Sequence, residues 1–229
     1  MRKLGLIGGT GPESTIIYYR EICRQVYQDT GALLPLSIES LSVYQVLHFS
    51  GNHEFDQLID YLAHGVNNLQ AGGAEFAALT GITSHVVFDQ LQAQVNLPMV
   101  SIPAALLEYA QTHGFKRLAL LGTAPTMAQH FVQDAFVGSE IAIITPHQAE
   151  QSYIGAKIEN ELEKGIVKEE TQEHLKQIVD RMVNEDKVDG IILGCTELPL
   201  AFNDLQLPVE ALDAMEIHIQ KLVRMIETD

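Results

Sequence analysis

The chain has 229 residues, 46% of them hydrophobic, with ordinary glycine and proline usage, a composition that builds buried cores and excludes disorder. A formal net charge of −16 argues against a nucleic-acid partner, because such binding rests on Lys and Arg neutralising phosphates. No apolar run reaches the roughly 18 residues of a membrane span, the opening GLIGG reads as a strand instead of a signal segment, and two cysteines make no disulfide framework, so a cytoplasmic protein with no membrane partner is expected.

In chain order, short apolar runs bounded by Gly, Pro, Thr or Asn predict buried strands at LGLIG, LSIESLSV, EFAALTG, LPMVSI, LALLG, EIAIITP, GIILGC and LPVEAL. Helical apolar spacing predicts helices over Glu13 to Gln28, Phe55 to Ala71, Ala104 to His113, Met127 to Phe136, Val167 to Asn184 and Ala214 to Ile226. Strand and helix alternate throughout, which implies an α/β protein with parallel sheets and helices on both faces. The mixed-sign stretch Glu159 to Glu173 reads as a solvated helix pair and turn. Cys23, among apolar residues at helical spacing, reads as packing.

The chain also repeats itself. RKLGLIGGTGPEST (Arg2 to Thr15) returns as KRLALLGTAPTMAQ (Lys116 to Gln129), and AEFAALTGIT (Ala74 to Thr83) returns as VDGIILGCTE (Val188 to Glu197). Both pairs share one offset, so Cys195 stands in the second half where Gly81 stands in the first. Two pseudo-symmetric lobes are expected, residues 1–100 plus 211–229 and residues 101–210. Ligands of open α/β sheets collect at the carboxyl ends of strands. The turns at Gly8 to Gly11 and Thr80 to Ser84 are therefore expected to line one side of a cleft, and Gly122 to Met127 and Gly194 to Glu197 the other.

The chemistry points first to Cys195, expected at the start of a helix, where the dipole and free amides favour a thiolate. The hydroxyls of Thr10, Thr83, Ser84, Thr123, Thr126 and Thr196 sit at strand-to-helix turns, where they either hold a carboxylate or cap helices. Gly9 and Met127 complete the expected substrate contacts. His85 and the stretch Asp213 to His218 are candidates to orient the thiol, or pack as neutral histidines, and Glu197 sets the loop or caps it. The opening lacks G-x-G-x-x-G and a P-loop lysine, and the histidines show no metal-ligand spacing, so neither nucleotide nor metal is expected.

GLIGGTGPEST, TSHVVFDQLQ, GTAPTM, GCTEL and the LPV to IH ending resemble the aspartate/glutamate racemase superfamily over nearly the whole chain. The resemblance implies two Rossmann-like lobes, no cofactor, a homodimer, an amino acid or small carboxylate as substrate, and proton transfer at the α-carbon between two cysteines. Cys195 carries over as one acid/base. The pattern Cys-Asn-Thr-x-His that holds the other reads Gly81-Ile82-Thr83-Ser84-His85 here. The mate therefore becomes Thr80, one position earlier, or Thr83 or Ser84, activated by His85.

A second reading is a single-cysteine decarboxylase of the arylmalonate type, which resembles this pattern in having glycine where the racemases have their first cysteine. A third is an inactive amino-acid-binding relic. Aspartate-type members carry a basic residue after the second strand, whereas Ser40 to His53 contains no Arg or Lys, which speaks against an acidic side chain on the substrate.

Overall fold

Eight short strands form two separate four-stranded, all-parallel sheets, in a computed structural model that describes residues 1–203 and 205–228. The chain divides into two units, Met1–Ala105 with His218–Asp229 and Leu106–Ile217. Each is an α/β unit with the same strand order.

In the first unit the sheet runs β2-β1-β3-β4, with β1 Leu4–Gly8, β2 Leu36–Ser40, β3 Phe76–Leu79 and β4 Met99–Val100. The two central strands are buried along their whole length, as parallel strands covered on both faces must be. Its helices are α1 Pro12–Thr30, α2 Val43–Gly51, α3 Phe55–Ala71 and α4 Phe88–Gln94, and α5 Ile102–His113 starts in this unit and continues into the second from Leu106. Proline opens α1 and a left-handed Gly31 closes it, the usual asymmetry of helix ends. Leu58, Leu62, Val66 and Leu69 recur on one face of α3 and pack on Ile7, Ala77 and Leu79.

In the second unit the sheet runs β6-β5-β7-β8, with β5 Arg117–Gly122, β6 Ala142–Ile144, β7 Gly190–Gly194 and β8 Glu210–Asp213. The helices that follow are α6 Ala124–Ala128, α7 Phe131–Asp134, α8 Gln148–Asn160, α9 Glu169–Arg181 and α10 Leu198–Phe202, and α11 Ala214–Glu227 starts in this unit and continues into the first from His218. Ile154 and Ile158 of α8 join Leu175, Ile178 and Val179 of α9 over the β5 and β7 side chains.

Several expectations change. The run LSIESLSV stops being strand at Ser40, because Val43, Val46 and Leu47 recur at helical spacing and start α2. The helix expected over Met127 to Phe136 is two: the N–H of Gln129 turns back to Pro125 O, that of Phe131 to Gln129 O, and the ladder breaks between α6 and α7. Helix α8 has too sparse an apolar stripe to show in the sequence, with Ile154 and Ile158 alone buried. Cys23 is half-buried on α1, not core. Glu161, inside the stretch expected to be solvated, is buried and takes hydrogen bonds from Lys157, Lys168 and Thr171.

Candidate active site

In the first unit two loops follow the carboxyl ends of β1 and β3. Residue 8 must be glycine, since a Cβ there would lie 2.5 Å from the Thr15 methyl. At Gly9 (φ +75°) it would meet Leu41 O at 2.1 Å, so the turn keeps a left-handed backbone only glycine holds without strain. Thr15, on the first turn of α1, ties the loop together: its hydroxyl accepts from Gly9 N at 3.0 Å and donates to Gly11 O at 3.0 Å. The Thr80 hydroxyl is 3.1 Å from that of Thr15 and donates to Ile7 O at 3.1 Å. Thr80 is therefore turned inward between the two strands and is 2% exposed.

Gly81 sits beside Thr10. A Cβ on residue 81 would lie 2.9 Å from Thr10 Oγ1 and 3.2 Å from Thr10 O. The Thr10 hydroxyl is buried with no hydrogen-bond partner among the described residues, and so is that of Ser84. Thr83 opens a short 3-10 turn, Thr83–Val87, and is half-buried.

His85 lies in the middle of that turn. Its Nε2 accepts from Ile102 N at 3.0 Å, so the ring proton is on Nδ1, which faces Gly81 O at 3.2 Å and Ile82 O at 3.1 Å. Complete burial pulls its pKa down to about 4, and the ring stacks on Phe88. His218 is committed in the same way: Nε2 donates to Val100 O at 3.2 Å, leaving Nδ1 to accept from Tyr18 OH at 2.8 Å. Burial, helped by His85, pulls it down to about 3. Neither imidazole has a nitrogen left for a thiol. Asp213 is likewise engaged, accepting from Met215 N and Glu216 N at the start of α11.

In the second unit the corresponding loops follow β5 and β7. Thr123 caps α6, accepting from Thr126 N, and the two hydroxyls are 2.9 Å apart. Thr126 is fully buried, with its methyl against Gly122 and Gly194: a Cβ at those glycines would meet it at 2.9 and 3.2 Å. Met127 is core. Thr196 is half-buried beside Cys195.

Cys195 follows the last residue of β7 and precedes α10. Its thiol donates to Glu197 Oε2 at 2.9 Å. The expected thiolate is overturned: burial, then the charge of Glu197, push the thiol pKa well above its ordinary value. A five-residue helix starting at Leu198 supplies too little to offset that. Glu163, in a short turn at Leu162–Lys164 that packs against α10, is pushed up by burial and by the charges of Glu197 and Glu159, and its own charge adds to the rise at Cys195.

Sequence reasoning missed Glu163 because a Glu-rich run looks like solvated surface, and missed Thr15 because it lies inside a helix. Among the described residues no group of three or more His, Cys, Asp or Glu side chains stands close enough to hold a metal. No helix among them is long and apolar enough to cross a membrane.

Two parallel α/β units of like strand order, with glycine-threonine turns at strand ends and a cysteine after β7, define the two-lobe racemase fold. The chain belongs to the Asp/Glu/Hydantoin racemase family, whose model matches residues 7–222. It is 32% identical to the structure of an aspartate racemase homologue from Pyrococcus horikoshii, with both chains fully covered and a TM-score of 0.88. It is 28% identical to that of an Asp/Glu racemase candidate from Yersinia pestis, again over the whole of both chains, with a TM-score of 0.94. Over 219 residues, 92% of each chain, it is 22% identical to the broad specificity amino-acid racemase RacX of Bacillus subtilis. An arylmalonate decarboxylase shares the fold alone, with a TM-score of 0.58 at 15% identity over 99% of this chain and 93% of that one.

Proposed function

We propose that the protein is a cofactor-independent amino-acid racemase or epimerase, an isomerase in which Cys195 and Glu197 together move the α-proton. The observation that carries this reading is the 2.9 Å hydrogen bond from the Cys195 thiol to the Glu197 carboxylate. The pair holds one transferable proton and one negative charge. When Glu197 takes the thiol proton, the thiolate can remove the α-proton; the C–H electron pair stays on the α-carbon and spreads into the substrate carboxylate. A proton delivered from solvent water to the opposite face of that carbon inverts the centre, and the Cys195–Glu197 pair gives its extra proton back to solvent. Because burial raises the thiol pKa, the thiolate is a strong base once formed, and the adjacent carboxylate limits the cost of forming it.

In this reading the rest of the second-unit loop holds the substrate carboxylate through the hydroxyls of Thr123 and Thr196, while Thr126 and Met127 act from behind by packing. Thr80 and His85 hold the first-unit loop in shape and take no proton. The absence of Lys and Arg over Ser40 to His53, together with the broad specificity of the Bacillus relative, favours a substrate with a neutral side chain. The exposed apolar face of Ile16, Tyr19, Ile38 and Tyr44 supports assembly as a homodimer, which sedimentation checks.

Incubating the protein with L- and D-amino acids in D2O tests the reading. Loss of the α-proton signal that disappears in Cys195→Ala is the expected result, and silence with every amino acid defeats it. Gly81 favours one second reading, a decarboxylase in which Cys195 protonates a carbanion after carbon dioxide leaves. Carbon dioxide release from an arylmalonate, without amino-acid exchange, would establish it.

A further inference from the structure

We infer that a second copy of this chain docks in the groove between α1 and the edge strand β2, and that docking braces the turn at Gly9. The inference deepens the homodimer reading above and stands apart from the racemase reading. It starts from α1, which is apolar on two faces. Tyr18, Ile22 and Val26 are buried. One residue on, Tyr19, Cys23 and Tyr27 extend a second stripe that begins at Ile16, and Ile16, Tyr19 and Tyr27 are each more than half exposed. A step of one residue is about 100° around a helix, so this apolar arc is wider than one packed layer covers.

The edge strand continues the same surface. Strand β2 ends its sheet. A Cβ at residue 8 would lie 2.5 Å from the Thr15 methyl and 3.1 Å from that of Ile38, which puts Ile38 on the α1 side of the sheet, yet it is 40% exposed. Between strand and helix lies a groove of about 510 Å³, walled by Ile16, Tyr19, Ile38 and Tyr44 and also lined by Gly9 and Thr15. No charged side chain and no histidine lines it among the described residues. An apolar groove beside a sheet edge invites association.

Charge distribution favours a second copy as the occupant. The span Ile16 to Leu47 holds seven of the twelve exposed large apolar side chains among the described residues. It has only two basic residues and three acidic ones, hence one net negative charge of the chain's sixteen. Arg20 and Arg24 both pair with Glu21, and Glu39 accepts a hydrogen bond from Asn68. A basic partner is drawn to the acidic remainder of the molecule. Two copies of net charge −16 repel each other least through a face that is nearly neutral and rich in tyrosine.

Docking there reaches the turn after β1. The Thr15 hydroxyl accepts from Gly9 N and donates to Gly11 O, and a side chain seated against Gly9 and Thr15 keeps water from that pair. The turn is therefore firmer in the dimer than in the monomer.

Sedimentation and amide hydrogen exchange on the full chain test both statements. The parent is expected to sediment as a dimer. Tyr44→Asp and Ile16→Lys, at exposed positions, are each expected to weaken it by at least roughly 30-fold, since a two-fold interface meets each change twice. Val137→Glu, exposed in the second unit, is expected to leave the dimer intact. Added salt is expected to tighten the dimer by screening like charges, and a dimer loosened by salt rests on ion pairs and overturns the apolar interface. In the Tyr44→Asp monomer the Gly9 amide is expected to exchange roughly 10-fold faster than in the parent dimer; an equal rate overturns the bracing. A monomeric parent overturns the homodimer reading and this inference together. A dimer that survives both substitutions, or that Val137→Glu splits as readily, has its interface elsewhere, which overturns the inference and leaves the homodimer reading standing.

Discussion

Cys195 and Glu197 face each other across one intervening residue, thiol to carboxylate at 2.9 Å, and the contact keeps the sulfur protonated. If the carboxylate is the group that frees the thiolate, removing its charge must cost rate even though it brings the thiol pKa down. Glu197→Gln is expected to reduce α-proton exchange by roughly 10²- to 10⁴-fold, the range for losing a general base. A merely electrostatic role predicts the opposite, because deleting the charge that pushes the thiol up would give more thiolate and a faster reaction at neutral pH. Exchange rates of parent and variant between pH 6 and 9 separate the two.

Thr80 offers the complementary check on the first unit. Its hydroxyl bridges Ile7 O and Thr15 Oγ1 in a fully buried setting. Thr80→Val keeps the shape and deletes the bridge, which is expected to cost about 1–3 kcal/mol of unfolding free energy. Exchange activity is expected to fall by less than about 10-fold, well short of the loss of an acid or base. Urea titration and the D2O assay on one preparation give both numbers. A loss of several orders of magnitude in a folded variant would return Thr80 to the chemistry.

The fold was legible because its strands are short, apolar and bounded by turn residues. All eight runs contain a strand, and the α3 stripe from Leu58 to Leu69 announces its own helix. The repeat also exposed the pairing of Gly81 with Cys195. Less legible was anything decided by side-chain direction. Thr80, Thr83 and Ser84 look alike in sequence, yet Thr80 turns inward to β1 while Ser84 is buried with no partner. The direction of the Cys195 pKa shift depends on burial and on two carboxylates, and one of these, Glu163, is brought close only by tertiary packing. Periodicity reports which face of an element is apolar, and it carries no information about what a buried polar group meets there.

His85 and His218 make the first unit sensitive to acid. Both are held neutral by burial, with folded-state pKa values of about 4 and about 3 against 6.5 for the free side chain. Above pH 6.5 neither state is protonated and their packing contributes in full. As pH falls below 6.5 the unfolded chain binds protons that the folded one refuses, so stability declines by about 1.4 kcal/mol per pH unit for each histidine. The decline ends near pH 4 for His85 and near pH 3 for His218. Denaturant midpoints are expected to drop steadily from pH 6.5 to 4. In Tyr18→Phe the protein is expected to start less stable at pH 7, since His218 Nδ1 loses its donor. A flat profile through this window would contradict neutral burial of both rings.

Glu161 governs the turn that carries Glu163. Its carboxylate takes hydrogen bonds from Lys157 Nζ, Thr171 Oγ1 and Lys168 Nζ, and the pairing with Lys157 and Thr171 holds its pKa down to about 2. A carboxylate whose pKa is lowered by folding contributes fully above 4.5, and the contribution is lost as pH falls from 4.5 toward about 2. Glu161→Gln has the shape of the protonated form, so it is expected to be less stable than the parent at pH 7 and to approach it as pH falls through that window. Amide hydrogen exchange over Leu162 to Thr171 is expected to quicken in the variant at pH 7, because the anchor of the turn is gone. If Glu163 reaches Cys195 electrostatically through this turn, the same variant shifts the pH dependence of α-proton exchange; an unmoved profile with a loosened turn would show that Glu163 has no part in setting the thiol.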